Sequence, residues 1–165
     1  MTIGRFYAGI AAVIWSPATE KYLLLRRSEH KDYGRGVWEC VTGRVDQGEG
    51  FEEALRREVN EELGVQVQVE HILGTTHFYR GTPTPDNELV GVVYLCSLPD
   101  PASIHISAEH SEFRWLSAAQ ALELLSAEDP STQWARRVIE RAEIIRPLLS
   151  KDLPNLHPQA GFEFG

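Results

Sequence analysis

Hydrophobic and polar positions divide the chain into short apolar runs and three longer stretches of helical period. Residues 6–15 form an apolar run that reads as a strand, and SPATE (16–20) ends it with Pro17. KYLLLRR (21–27) is a second strand, able to close a hairpin on the first. A polar loop (28–36) leads into VWECVTG (37–43), whose alternation predicts a short strand. VQVQVEHILGTTHFY (65–79) opens with strict alternation and reads as a strand. ELVGVVYLCSL (88–98) is more apolar and is expected near the centre of a sheet. IHI (104–106) reads as a brief strand and EFRWL (112–116) as another. SAAQALELLSAE (117–128), with Ser117 as its N-cap, predicts a helix. STQWARRVIERAEIIRPLL (131–149) predicts a longer amphipathic one, with Pro147 near its end. The expected class is α+β: one domain over residues 1–150, a mixed sheet covered by helices, with an irregular tail at 151–165.

A length of 165 residues suits one domain with a full core. A formal net charge of −8 argues against nucleic acid binding through the whole surface, but leaves room for a small polyanion held through recruited cations. No run approaches the roughly 20 apolar residues of a membrane span. YAGIAAVIW (7–15) has the apolar character of a signal-peptide core, yet only Arg5 precedes it and no cleavage site follows. Cys40 and Cys96 both lie in apolar strand-like surroundings, so buried thiols and a reducing, cytoplasmic setting are expected.

The third helical stretch lies inside GRVDQGEGFEEALRREVNEELGV (43–65), which crowds acids beside glycines. On a helix at about 100° per residue, with Phe51 at zero, Leu55, Val59 and Leu63 fall near 40°, 80° and 120°, and Ala54 near 300°. Glu58 and Glu62 fall at about 340° and 20°, inside that apolar arc, and Glu61 borders it at about 280°. Burying unpaired charge costs several kcal/mol, so these carboxylates need arginine partners or a shared metal ion. Positions i, i+3 and i+4 converge on one point, and hard oxygen ligands suit Mg2+ or Mn2+. The competing reading is a salt-bridged structural helix, with Arg56 and Arg57 as the cations. Gly43, Gly48 and Gly50 precede the helix in a loop suited to an anion, which points to a metal-bound phosphate. Glu52 and Glu53 are expected to favour the helix start and to face water.

Gly43, Glu49, Arg57, Glu58, Val59, Glu61, Glu62, Gly64 and Val65 together resemble the signature of the Nudix hydrolases at every defined position. The resemblance implies an α/β/α sandwich, with the signature folded as loop, helix, loop. It also implies hydrolysis of a nucleoside diphosphate linked to another moiety. By the same resemblance, Glu58, Glu61 and Glu62 bind divalent metal with the Gly43 carbonyl, Arg57 orients a signature glutamate, and Glu49 supports the loop. Where common members carry Pro-Gly-Gly, this chain has Val41-Thr42-Gly43. WECVTGRVDQGE and EHSEFRWL (109–116) instead resemble the bacterial dihydroneopterin triphosphate pyrophosphohydrolases. In that branch Glu109 matches a glutamate proposed as metal ligand or general base.

The expected mechanism is metal-assisted attack of water on a phosphoanhydride, with Glu61 or Glu109 as the base and Glu112 a weaker third candidate. Arg26 or Arg27, with Arg44, are candidates for phosphate contact. Trp38, Phe78 and Tyr79 are candidates for stacking a ring, against the plainer reading of each as core. His77 and His110 stand as candidate phosphate contacts or as structural histidines, and no Cys/His constellation suggests zinc. Candidate substrates are a pterin or nucleoside triphosphate, ADP-ribose or another nucleotide sugar, and a dinucleoside polyphosphate. A catalytically silent nucleotide-binding module is the alternative from another class. The resemblance also admits a homodimer; neither nucleic acid nor membrane is expected as a partner.

Overall fold

The computed structural model describes residues 4–31, 34–149 and 161–163. Seven strands form one sheet: β1 (Tyr7–Ser16), β2 (Lys21–Arg27), β3 (Trp38–Glu39), β4 (Val41–Arg44), β5 (Gln68–Tyr79), β6 (Glu88–Ser97) and β7 (His110–Leu116). Three helices cover it: α1 (Phe51–Leu63), α2 (Ala118–Leu124) and α3 (Pro130–Ile145). Strand β1 is the hub. It runs parallel to β6 from Tyr7 to Trp15 and antiparallel to both β2 and β4.

The pattern of β1 explains the layers. Alternate residues point to opposite faces of a strand, and here both faces are apolar, as expected for a strand covered on both sides. Ile10, Ala12 and Ile14 pack with Ala54, Leu55, Val59 and Leu63 of α1. Ala11 and Val13 pack with Ala121 and Leu125, in and after α2, and with Ala135, Ile139 and Ala142 of α3. Each large aliphatic side chain fully buried here contributes roughly 1.5–3 kcal/mol. The result is the expected mixed sheet between helical layers, with Cys40 and Cys96 buried as free thiols.

Partner exchange along β1 opens the sheet. Trp15 and Ser16 pair with β2, whereas Gly9 to Ala12 pair with β4. Strand β2 thus leaves β1 and continues with β3 and β7 as neighbours. The stretch expected as one strand over 37–43 is therefore two, broken at Cys40, because its halves hydrogen-bond to different strands.

Four other expectations change. IHI (104–106) is not a strand. Instead the His105 N–H donates to the Leu63 carbonyl at 2.9 Å and the Ser107 N–H to the Glu62 carbonyl at 2.8 Å, satisfying the end of α1. Helix α2 is shorter than its pattern, although Ser117 caps it as expected, in a capping box with Gln120. Helix α3 starts one residue earlier than expected, behind Asp129 as N-cap and Pro130 in the first turn. The tail is described only at 161–163, where it is seated on α1: the Glu163 carboxylate accepts from the Phe51 N–H at 2.8 Å and from the Glu52 N–H at 3.1 Å. Glu52 accepts from the Phe162 N–H and is only 12% exposed, so it does not face water as expected; Glu53 does.

Candidate active site

Where the sheet opens, a cleft of about 560 Å³ is lined from several elements. Its acidic wall comprises Glu39, Glu58, Glu62 and Glu109, beside Gly43. Helix α1 brings two of these because Glu58 and Glu62 lie one turn apart on its inner side. Gly64, left-handed at φ 66°, stops the helix immediately afterwards. Gly43 answers a steric demand, since a Cβ there would stand 2.1 Å from the Glu58 carboxyl carbon. Only glycine lets β4 pass this close to the helix.

Arg57 organises the loop. Its guanidinium binds both oxygens of Glu49 at 2.8 and 2.9 Å, donates to the Arg44 carbonyl at 2.8 Å, and holds Glu58 at 2.9 Å. Glu49 in turn accepts from the Asp46 N–H at 3.0 Å, and Arg57 holds its carboxyl below the usual range. A planar, bidentate fork is suited to that joining role.

The interior of the acidic wall is unbalanced. Glu62 is 7% exposed, and its Oε2 has no hydrogen-bond partner. Burial, helped by Glu39, Glu58 and Glu109, pushes its carboxyl up to about 9. Burial also raises Glu58, against the pull of Arg57. Glu109 is held below the usual range by Lys31, 2.5 Å away. No three acid, histidine or cysteine side chains among the described residues already form a metal cage. Arg57 and Lys31 instead balance Glu58 and Glu109. The donor set nonetheless fits a hard divalent cation: all oxygen, mostly carboxylate, with an orphaned buried oxygen on Glu62 and a glycine-shaped approach beside Glu58.

The NUDIX domain pattern matches residues 6–142. The chain belongs to the Nudix domain family. This is a family of pyrophosphohydrolases acting on nucleoside diphosphate-linked substrates, generally with a divalent metal ion. Among curated relatives, the chain is 29% identical over 126 residues to the dihydroneopterin triphosphate diphosphatase of Escherichia coli, covering 70% of this chain and 81% of that protein. It is 29% identical over 133 residues to an octanoyltransferase of Myxococcus xanthus, covering 81% of this chain but only 35% of that protein. The chain therefore spans about a third of the Myxococcus relative. Among solved structures, the E. coli dihydroneopterin triphosphate pyrophosphohydrolase superposes with a TM-score of 0.65 at 25% identity, over 86% of this chain and 99% of that one.

The remaining Nudix candidates separate by strand alternation. Leu23 and Leu25 face α1, and Arg27 continues that face into the cleft, where Glu39 holds it at 2.9 Å. Arg26 lies outside the cleft lining and pairs with Glu29 at 3.6 Å. Trp38 likewise leaves the cleft: it packs in the core beneath α2 and α3, with Arg114 over its ring. Arg44 lines the cleft and stacks on Tyr7. Phe78, Tyr79 and His77 line it too, with His77 bonded to Glu88 at 2.8 Å. Glu61 is 58% exposed, sits 3.4 Å from Arg57, and is absent from the lining. Glu112 pairs with Arg114 on the strand surface. His110 is buried against Glu39, not a cleft-lining group.

Glu39, Lys31, Arg80, Trp134 and Arg137 also line the cleft, and none of them stands out as a site residue in the sequence. The alternation of VWECV held a signal for Glu39: Trp38 and Cys40 face one core, and Val41 faces the other, leaving Glu39 on the side of α1. Trp134 is fixed by a 3.0 Å bond from its Nε1–H to Thr76 Oγ1. Nothing local in the helical pattern of α3 announced that its first turns would reach the site.

Proposed function

We propose that this Nudix domain, residues 1–150, hydrolyses a phosphoanhydride bond in a pterin or nucleoside triphosphate, with Mg2+ as its ion and Mn2+ as an alternative. The observation that carries the reading is the buried, unpartnered carboxylate of Glu62 among Glu39, Glu58 and Glu109, facing a cleft that also holds arginines and aromatic rings. The 29% identity to the E. coli diphosphatase supports the pterin triphosphate as first candidate.

Glu58, Glu62 and Glu109, which line the cleft with Gly43, are the groups that would hold the ion, Gly43 through its carbonyl; Glu61, outside the lining, would have to turn inward to join them. When bound, such an ion neutralises phosphate charge and lowers the pKa of its water. Arg44 and Arg137 supply positive charge for the phosphate chain; Arg137 has no acidic partner among the described residues. Phe78, Tyr79 and Trp134 offer faces to a planar ring. The water oxygen bonds to phosphorus, the anhydride P–O bond breaks toward the leaving phosphate, and a carboxylate takes the water proton. Glu109 is favoured over Glu61 as that base. It lines the cleft, whereas Glu61 lies outside.

A nucleotide sugar or dinucleoside polyphosphate is the second reading. Arg80 favours it, as a further positive group lining the cleft beyond Arg44 and Arg137. The deciding experiment is a Mg2+-dependent hydrolysis screen with dihydroneopterin triphosphate, deoxynucleoside triphosphates, ADP-ribose and diadenosine polyphosphates, with products identified by mass. Release of pyrophosphate from the pterin triphosphate with the highest kcat/KM is expected. Preference for a dinucleotide would move the assignment to the second reading, and metal binding without turnover of any substrate would return it to a silent module.

A further inference from the structure

A row of four polar groups runs from the cleft wall into the interior. Arg27 Nη1–H donates to Glu39 Oε1 at 2.9 Å. The same oxygen is 3.3 Å from His110 Nε2. The opposite edge of that imidazole, Nδ1, is 3.9 Å from Glu62 Oε2. The His110 side chain is 1% exposed and Glu62 7%, and these two facing atoms, Nδ1 and Oε2, are both without a hydrogen-bond partner. Two orphaned polar atoms aimed at each other in a closed interior carry a cost that one small approach removes.

The backbone sets up this meeting. The segment before β7 is tied to the end of α1 through Ser107 N–H on the Glu62 carbonyl at 2.8 Å, and His110 N–H closes a turn on the Ser107 carbonyl at 3.2 Å. Residue 110 is therefore placed against the helix whose Glu62 it faces. At its far edge, Glu39 and Arg27 hold the ring from β3 and β2.

We propose that His110 is a positioning residue: anchored through Glu39 and Arg27, it aims its Nδ1 edge at Glu62 and fixes the orientation in which Glu62 offers its carboxylate to a divalent cation. This rests on the metal-dependent reading above. Outer partners of metal-binding carboxylates commonly govern affinity in this way, although they never touch the ion. His110 does not line the cleft, so its effect belongs to metal binding and turnover and leaves substrate affinity alone.

The test uses the full chain and Mn2+ alone, with binding followed by loss of the free-ion EPR signal, and steady-state hydrolysis measured separately. His110→Gln keeps an amide near the position of Nε2 but loses the group facing Glu62. It is expected to weaken Mn2+ binding and lower kcat by about tenfold, with KM almost unchanged. His110→Asn places an amide near the position of Nδ1 and is expected to stay within about threefold of wild type. Equal losses in the two variants would mean that the ring only fills space, and wild-type affinity in both would remove the role altogether; either result overturns the proposal. Should both variants fail to fold, Glu39→Gln decides. Weakened Mn2+ binding there supports the anchored row, and unchanged binding overturns it. A wild-type chain that neither binds Mn2+ nor hydrolyses any substrate would instead bring down the underlying reading, which keeps the two failures apart.

Discussion

Helix α3 closes its own first turn: Asp129 Oδ1 accepts from the Thr132 N–H at 2.9 Å, and Pro130 follows. Its buried residues are Thr132, Ala135, Ile139 and Ala142, with no buried charge among them. Helix α1 has no such independence. Gly50 at its start offers no side-chain cap, and Glu163, 112 residues from Phe51, supplies the acceptors. Its buried set includes Glu62, whose Oε2 has no partner. Both helices pack one apolar face on the same sheet. The difference lies in where compensation comes from: α3 carries its own, whereas α1 borrows it from loops and the C-terminal segment. A helix that buries an unpartnered carboxylate oxygen cannot also be internally satisfied.

The sharpest way to break this contrast is Glu62→Gln. It makes α1 resemble α3 by removing the buried ionisable group, and it should cut Mg2+-dependent hydrolysis on the order of 10³-fold, several kcal/mol of transition-state stabilisation. Without metal the same change should stabilise the fold by about 1–3 kcal/mol. The pH dependence follows from the raised carboxyl. Folded Glu62 titrates near 9 against 4.5 for an ordinary glutamate, so between those values the folded chain binds more protons than the unfolded one. Stability in chelator should therefore fall as pH rises from about 5 to 9, and the variant should lose that slope. Thermal melts with EDTA, repeated with excess Mn2+, check both statements; a wild-type slope in the variant would place the imbalance elsewhere.

A smaller effect is expected from Gly43→Ala. The added Cβ would meet Glu58 at 2.1 Å, so the glutamate or β4 must move. Misplacing one ligand by about 1 Å should lower kcat about 10²-fold while the chain stays folded, measured as turnover beside far-UV circular dichroism. Activity at the wild-type level would show that Glu58 has a second placement equally able to serve.

The two helices also differ in how much of them could be read in advance. The layers, the strand order's apolar centre and the inward turn of Glu58 and Glu62 all follow from periods of 2 and 3.6 residues, which are local. Alternation likewise separates Arg27 from Arg26 and Trp38 from the cleft, once β2 and β3 are given a covered face. What stayed hidden depends on contacts between distant segments. The row Arg27–Glu39–His110–Glu62 joins β2, β3, β7 and α1, and no spacing along the chain announces it. The split of 37–43 at Cys40 arises from β1 exchanging partners, and IHI pairs with a helix end because α1's last carbonyls needed donors. Glu163 on the start of α1 is the same kind of event, invisible until chain ends are placed.

The mildest test compares the two caps directly. Asp129→Ala and Glu163→Ala each remove a carboxylate from a helix start, and each should cost about 1 kcal/mol, the usual worth of such a cap. They should differ in what else they change. Hydrogen bonds from the Thr132 backbone and side chain hold Asp129 below the ordinary aspartate value, so its contribution is present above the unfolded value of 3.8 and is lost as pH falls through the lower folded one. The Asp129→Ala penalty should therefore be full at pH 7 and shrink in acid. Glu163→Ala should also loosen Phe162, which packs edge-on to His71 and beside Tyr94, and so expose Glu52. Hydrogen exchange should then quicken at Phe51 and Glu52, with the last turns of α1 unchanged. Because Glu58 and Glu62 sit in those last turns, kcat should stay within about twofold of wild type, given that fraying at a helix end is local. A larger fall in kcat with equal stability loss would mean that the borrowed cap governs the placement of the acids, and that α1 is one rigid lever from Gly50 to Gly64.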